Sequence, residues 1–441
     1  MSEHTPHPPA PSQAGTYEVG RHDAQAQTTR PIRDILTDIQ STAFFVGVGA
    51  LGLCILAALL IPSERNPFYE SYLWSYLFWT GLTLGCGGLA MLHNLTGGRW
   101  GQAIKRILLA GNSAIYLMAL LILPLFIAAL THRIWPWAMT DLGASVGKPL
   151  GPHKAIWLAP QRVYLRVVIY FAIWFGFNVM LTNAARRIEA TNSFPVRFFY
   201  SKLSAFGLLL YVLTVTFAVI DGVMSLEPNW YSTMYGLIYV AGQILSTFSF
   251  CCIVLVLLNR HRETYAMTSL DMFNDVGSFM FAWTILWAYT SFFQFLISWM
   301  GDLQVDMHWY VKRTVGPWHV VTAFLILFQF FAPFLALLNR RVKRNPRILL
   351  IVGCLIMFVR LVDLYWTVKP AFPEGSRVSW MDLFTPFGIG GLFIWAFIGR
   401  LKNNPLTPPP TLPGDTLPSG HGHAAFSRAA AIAQMQGAQH V

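Results

Sequence analysis

Cysteine and charge are both scarce in this sequence of 441 residues. Its five cysteines lie in apolar stretches, and no CxxC or CxxCH motif joins any of them. Covalently attached haem and iron–sulfur clusters need such thiolate sets, so we expect neither in this chain. The cysteines are typical of small, apolar packing residues.

Charged residues make up 12% of the sequence, whereas a soluble domain has about 25%. Hydrophobic residues make up 55%, in ten apolar stretches that each approach the ~20 residues needed to cross a bilayer. The sequence therefore predicts an all-α polytopic membrane protein with ten transmembrane helices. The predicted spans are approximately 42–62, 71–92, 106–130, 163–183, 203–221, 234–258, 276–299, 318–338, 348–367 and 381–399.

Three regions follow from this pattern. Residues 1–38 form a disordered or partner-bound tail, 39–402 form the membrane domain, and 403–441 form a proline-rich tail. Arginine and lysine concentrate in the loops on the N-terminal side, so the positive-inside rule places both termini in the cytoplasm. We read the net charge of +11 as a topology signal and expect no nucleic-acid partner.

A weak internal repeat divides the spans. The fourth span ends at Asn183 and the eighth at Asn339, each followed by paired arginines and a proline. The fifth span ends near Asp221 and the ninth near Asp363. The pattern predicts two four-helix bundles, spans two to five and six to nine, with spans one and ten as a flanking pair. A chance likeness between short charged helix ends is the alternative.

Five ionisable residues lie where spans meet the predicted outer face: Asp221, Glu227, His319, Arg360 and Asp363. Acids at membrane depth are costly and mark functional sites, so this set is a candidate proton-accessible mouth. An ordinary interfacial hairpin around Glu227-Pro228 is the alternative. Because Arg360 and Asp363 are three residues apart on one helix, a structural ion pair is a second alternative.

A second ionisable set lies towards the predicted inner face and consists of His93, Arg106, Lys202, Asp271 and Asp275. Asp271 and Asp275 lie near a helix start, where capping is the competing explanation. A haem between His93 and His319 is disfavoured, because the two lie at opposite ends of their spans. We predict no catalytic, metal or cofactor site in this chain.

Polar side chains within the spans lie between the two sets. They can order water across a bundle or simply bond to neighbouring helices, which is the commoner use. These residues are Thr80, Thr83, Tyr116, Gln243, Ser246, Thr247, Ser249, Thr284, Tyr289, Ser291 and Gln294.

Three stretches carry a family resemblance: FWTGLTLGCGGLAMLHNLTGGRWG (78–101), DGVMSLEPNWYSTMYG (221–236) and LDMFNDVGSFMFAWTILWAYTSFFQFLISW (270–299). They resemble the ActF membrane subunits of bacterial alternative complex III, which belong to the NrfD/PsrC-like membrane proteins. The resemblance covers about residues 35–402, and SLEPNWYST is its most specific part.

The resemblance implies a cofactor-free subunit of a quinol:cytochrome c or other electron-acceptor oxidoreductase in the bacterial cytoplasmic membrane. It implies a paralogous quinol-binding subunit, ActC, and partner subunits that carry haem c and iron–sulfur clusters. Lipids are expected at its surface, and a terminal oxidase is a further candidate partner. The implied roles are proton conduction and assembly.

By match to family motifs, the resemblance carries over the candidate proton path His93, Asp221, Glu227, Asp275 and His319, with Arg360 and Asp363 as further members. Two other functions stay open. In one, this chain itself binds and oxidises quinol; in the other, it is a free-standing transporter.

Overall fold

The computed structural model describes residues 31–138, 151–191, 193–261, 269–372 and 377–403. These residues form helices and turns, and no strand occurs among them. The predicted tails lie outside the described residues, except for 31–38 and 403. The fold is that of an all-α polytopic membrane protein.

Ten helices are long and apolar enough to cross a membrane, which confirms the predicted number within the described chain. They are α1 (Ile32–Leu60), α2 (Pro62–Thr96), α3 (Arg99–Leu130), α4 (Pro160–Thr191), α5 (Phe194–Leu226), α6 (Tyr235–Leu258), α7 (Leu270–Gly301), α8 (Trp318–Leu338), α9 (Pro346–Ala371) and α10 (Met381–Leu401).

Several of these helices contain local irregularities. α3 is interrupted around Ser113 and again at Ile122, and the last turn of α5 is a 3₁₀ turn. α8 contains a π-helical stretch, Ile326–Phe331. Two shorter helices, Pro152–Trp157 and Gln304–Thr314, precede α4 and α8.

Successive spans alternate in direction, so residues 31 and 403 lie at the same end of the molecule. We call this the terminal end. The turn 227–234 between α5 and α6 lies at the opposite end, which we call the hairpin end. Each bundle therefore begins and finishes at the hairpin end.

Helices α2 and α6 form the centre of the molecule. In each, 83% of the apolar stretch is buried, against 22% in α1, α7 and α8. α2 to α5 form one four-helix bundle and α6 to α9 the other, and α1 packs along α10 as a flanking pair. The outer helices expose large apolar side chains to the surroundings, as expected where lipid replaces water.

Glycines permit the closest helix contacts. A Cβ on Gly85 of α2 would lie 2.1 Å from Oγ1 of Thr247 on α6. A Cβ on Gly391 of α10 would lie 2.5 Å from the backbone oxygen of Ala43 on α1. Close backbone approach supplies the van der Waals contact that holds helices together in lipid.

Candidate functional site

Asp221 is a fully hydrogen-bonded buried carboxylate at the hairpin end, with only 2% of its surface exposed. Arg166 of α4 donates to both carboxylate oxygens, from Nε at 2.7 Å and Nη2 at 2.8 Å. Tyr170 Oη donates at 2.8 Å and Trp157 Nε1 at 3.0 Å. The Trp157 ring also lies under the Arg166 guanidinium, 4.1 Å from its centroid. Asp221 thus ties α4 and the short helix before it to α5.

Glu227 anchors the turn 227–234 to the helix before α8. Arg313 Nη1 donates to its Oε1 at 2.9 Å, and Lys312 Nζ lies 3.4 Å from its Oε2. Arg313 is 1% exposed and also donates from Nη2 to the backbone oxygen of Thr367 at 2.8 Å. Burial lowers the pKa of the Arg313 guanidinium, and the negative charge of Glu227 acts in the opposite direction. Breaking such a buried pair on one side is strongly destabilising.

Arg360 and Asp363 form a buried ion pair within α9, where the sequence anticipated one. Arg360 lies against Gly242 of α6, where an added Cβ would come 2.4 Å from the guanidinium carbon. Glycine at this position therefore makes room for an arginine inside the bundle. The only side-chain donor to the Asp363 carboxylate among the described residues is Arg360, whereas Asp221 has three donor residues.

A fourth buried charge cluster joins α2, α9 and α10. Lys369 Nζ lies 3.0 Å from Glu70 Oε2 and 3.4 Å from Asp382 Oδ1. Ser71 Oγ donates to the same oxygen of Asp382 at 2.6 Å. The cluster holds the flanking helix α10 against the first bundle.

Two cavities are lined in part by the charged residues of the hairpin end. One, of about 130 Å³, lies in the first bundle and is lined by Asp221, Tyr170, Thr80 and Tyr239 among mainly apolar side chains. The other, of about 750 Å³, lies in the second bundle, and Arg360, Asp363 and Tyr239 are in its wall. Tyr239 therefore borders both cavities. Its hydroxyl donates to the backbone oxygen of Leu77 at 2.9 Å.

At the terminal end, ring contacts connect His93 to the helix that carries Asp275. The His93 ring packs edge-on against Trp100, 5.4 Å between centroids, and Trp100 packs on Phe279, one turn beyond Asp275 in α7. Asp275 makes no ion pair within 4 Å among the described residues, and Arg99 and Asp271 are the charges that act on it. Asp271 itself binds Arg344 at 2.5 Å.

Two further residues of the predicted inner set have described contacts. Arg106 binds Glu189 at 3.1 Å, and the Lys202 ammonium lies 4.3 Å from the Phe198 ring centroid. Neither joins His93 or Asp275 in a described ion pair. We find no reason in their contacts to add them to the candidate path.

Most polar side chains between the two ends either form a hydrogen bond within their own helix or lie on the outer surface. Each of five hydroxyls donates to the carbonyl four residues earlier in its own helix: Thr83, Ser246, Thr247, Ser249 and Thr284. Tyr116 and Tyr289 are exposed on the outer surface. Gln243 accepts from Tyr211 Oη at 2.8 Å, which links α5 to α6.

An aromatic barrier of Trp100, Phe248 and Phe279 separates Gln243 from His93. Phe248 stacks on Phe279 with 5.1 Å between centroids, and Trp100 packs on both rings. The described side chains therefore do not form a continuous polar column from one end to the other. Such a column would need water beside these rings.

The structure separates one predicted site residue from the others. His319 is exposed at the start of α8, and its ring bonds to the backbone oxygen of Gly316. The described ion pairs at the hairpin end do not include it. His93 and His319 lie at opposite ends, as the sequence predicted.

Several residues of these clusters were missed by sequence reasoning. Arg166 and Asp382 lie inside predicted spans, so their charge within an apolar run was the available signal. The remaining three lie at span edges and read from sequence as ordinary loop charges: Glu70, Arg313 and Lys369.

The fold and these clusters define a multi-pass helical membrane protein with buried ion pairs at one end. Within the described chain, no three His, Cys, Asp or Glu side chains are grouped so as to hold a metal ion. No protein-family model matches the sequence, and the search of curated proteins finds no match.

Proposed function

We propose that this chain is a membrane subunit of a quinol:electron-acceptor oxidoreductase of the alternative complex III type. It carries no redox centre of its own and contributes proton translocation and assembly. The partners are a paralogous quinol-binding subunit, ActC, and subunits bearing haem c and iron–sulfur clusters, in the bacterial cytoplasmic membrane. Three resembling stretches support the assignment, and the arrangement of two bundles and a flanking pair agrees with it.

One observation supports the proton-conducting role: Tyr239 borders both cavities. The smaller leads from Asp221 to the α2–α6 contact, and the larger reaches Asp363 from the other side. Thr80 Oγ1 borders the smaller cavity and has no partner among the described residues. A cavity of 130 Å³ with such polar groups is large enough for water.

We infer different roles for the two hairpin-end acids from the hydrogen bonds that each receives. The Asp221 carboxylate accepts four hydrogen bonds at the mouth of the path, which occupy both of its oxygens. Asp363 receives a bond from Arg360 alone among the described side chains and faces a cavity. Asp363 is therefore the proton-binding group on the hairpin side, and Asp275 has this role on the terminal side.

The path between them crosses the aromatic barrier. The rings of the aromatic barrier do not exchange protons at neutral pH, so a proton that passes them must move through water. The half-path on the terminal side then runs through His93 and Asp275. The half-path on the hairpin side runs through Asp363, Asp221 and Glu227.

The test uses the purified complex in sealed vesicles, with protons moved per electron as the readout. Asp221→Asn, Asp275→Asn and Asp363→Asn remove the carboxylate charge at nearly constant size, and we expect each to lower this ratio more than it lowers electron transfer. Asp302→Asn is the matched control, because Asp302 is exposed and asparagine tolerates its left-handed backbone, φ 44°. If all three variants keep the wild-type ratio, the chain is a scaffold.

A further inference from the structure

The 750 Å³ cavity of the second bundle has the size and lining of a small-molecule site. Ligand pockets are commonly about 300–1,000 Å³ and mainly apolar, with a few placed polar groups. Helices α6, α7, α8 and α9 all contribute to this wall, and aromatic side chains dominate it. The rest of the lining comes from the short helix Gln304–Thr314 and from Trp230 of the turn before α6.

The cavity opens sideways between α7 and α8. Several of its lining residues are also exposed on the outer surface of the molecule, among them Tyr289 and Phe292 of α7 and Ile326 and Phe331 of α8. All are apolar or aromatic and lie on membrane-crossing helices. A molecule that enters by this route comes from the bilayer and must itself be lipid-soluble.

Two buried donors on one face of α7 border this cavity. Trp287 is 8% exposed, and neither its Nε1 nor Ser291 Oγ finds a partner among the residues that the structure describes. Other hydroxyls of α7, on Ser278, Thr284 and Thr290, bond back to a carbonyl of the preceding turn. Trp287 and Ser291 are four residues apart, so they lie one turn above the other on the same face.

Buried donors are normally satisfied, so this pair indicates an acceptor supplied from outside the chain. The opposite wall carries Arg360, but Asp363 already neutralises it. With Asp363 ionised, the wall therefore offers no net charge to an anionic headgroup. The matching ligand is neutral where it contacts α7, with an acceptor oxygen attached to a long apolar part.

We propose that the second bundle binds a membrane amphiphile whose carbonyl oxygen accepts hydrogen bonds from Trp287 Nε1 and Ser291 Oγ, with its apolar chain leaving between α7 and α8. Two sources supply this chemistry, the ester group of a glycerolipid and the ring carbonyl of an isoprenoid quinone. The site shares this cavity with the proposed proton path, since Asp363 borders the same space, but ligand binding is measured separately from proton movement.

The test begins with the protein purified in its native assembly in mild detergent. Native mass spectrometry measures the retained amphiphile, and organic extraction identifies it. After delipidation, dioleoyl phosphatidylglycerol and decylubiquinone are added back in separate arms, which distinguishes the two sources. Preferential retention of either supports the site and names its ligand class.

Trp287→Phe keeps an aromatic ring but removes the donor, and Ser291→Ala removes the hydroxyl. One lost hydrogen bond of typical strength lowers affinity by about tenfold, so we expect retention to fall by about that factor in each. Ala288→Phe places a ring in the cavity wall and should exclude the ligand by volume. Trp299→Phe is the matched control, because Trp299 is on the same helix, 61% exposed and outside the cavity lining.

Wild-type protein that retains detergent alone overturns the proposal. So does equal retention in wild type, Trp287→Phe and Ala288→Phe. If Ala288→Phe does not fold, Trp287→Phe alone decides whether the site exists, because phenylalanine keeps an aromatic ring at this position. Because the proton-to-electron ratio is not the readout, failure here leaves the proposed function standing, and the reverse also holds.

Discussion

Three cations in this molecule, of which Arg313 and Lys369 are buried, reach carboxylates that are distant in sequence. Arg166 binds Asp221, Arg313 binds Glu227, and Lys369 binds Glu70. Each pair joins two different helices or a helix and a turn, so the charges fix tertiary contacts at the hairpin end. Such pairs specify the arrangement of helices, because removing either member leaves an uncompensated buried charge.

At the residue scale, Arg313→Met should destabilise the protein by about 3–5 kcal/mol, because Glu227 would lose its fully buried partner. Lys312→Met is the matched control: Lys312 contacts the same carboxylate but is 36% exposed, so we expect at most ~1 kcal/mol. Thermal unfolding in detergent gives the midpoints. Equal shifts for the two variants would contradict this assignment.

Sequence reasoning at this scale identified acids better than their partners. Asp221 and Asp363 stand out as charges in apolar runs, and the Arg360–Asp363 pair follows from helical spacing. Arg313 gives no such signal, because a loop arginine has the same local pattern whether it is buried or exposed. Its burial depends on how the helix Gln304–Thr314 packs against the turn 227–234, which local sequence does not encode.

At the element scale, the apolar runs predicted every span within the described chain. The starts were less accurate: α1 begins at Ile32, ten residues before the predicted span, because its polar first turns are helical outside the apolar run. The π-helical stretch Ile326–Phe331 had no sequence signal at all. Its apolar composition is compatible with an ordinary α-helix.

The flanking pair provides a test at this scale. Gly391→Ala would place a Cβ 2.5 Å from the Ala43 oxygen and 2.7 Å from the Gly47 Cα, both backbone atoms that cannot rotate away. We expect a loss of about 1–3 kcal/mol, as for overpacked cores. Gly49→Ala on α1 meets nothing within 4 Å and should be neutral or stabilising by up to ~1 kcal/mol. If both variants unfold at the same temperature, α1 and α10 are not held by this contact.

At the scale of the whole molecule, the orientation in the membrane is the main open prediction. Single cysteines at His153 and Arg340 report on the hairpin and terminal ends, and both residues are exposed. Cys354→Ser is the starting background, because the other four cysteines are buried. An impermeant thiol reagent added outside intact cells should label the cysteine at 153 and spare the one at 340. The reverse labelling would invert the orientation.

The same-direction order of the two bundles has an electrical consequence. Asp221 ends the last helix of one bundle and Asp363 lies near the end of the last helix of the other, so both sit towards the same face. A membrane potential acts on a charge at about 2.3 kcal/mol per 100 mV for the full crossing. Because Asp221 and Asp363 lie towards the same face, each experiences a similar fraction of the membrane potential. A proton that passes between Asp221 and Asp363 therefore does little work against the potential, and most of the drop lies between these two sites and Asp275 at the terminal end.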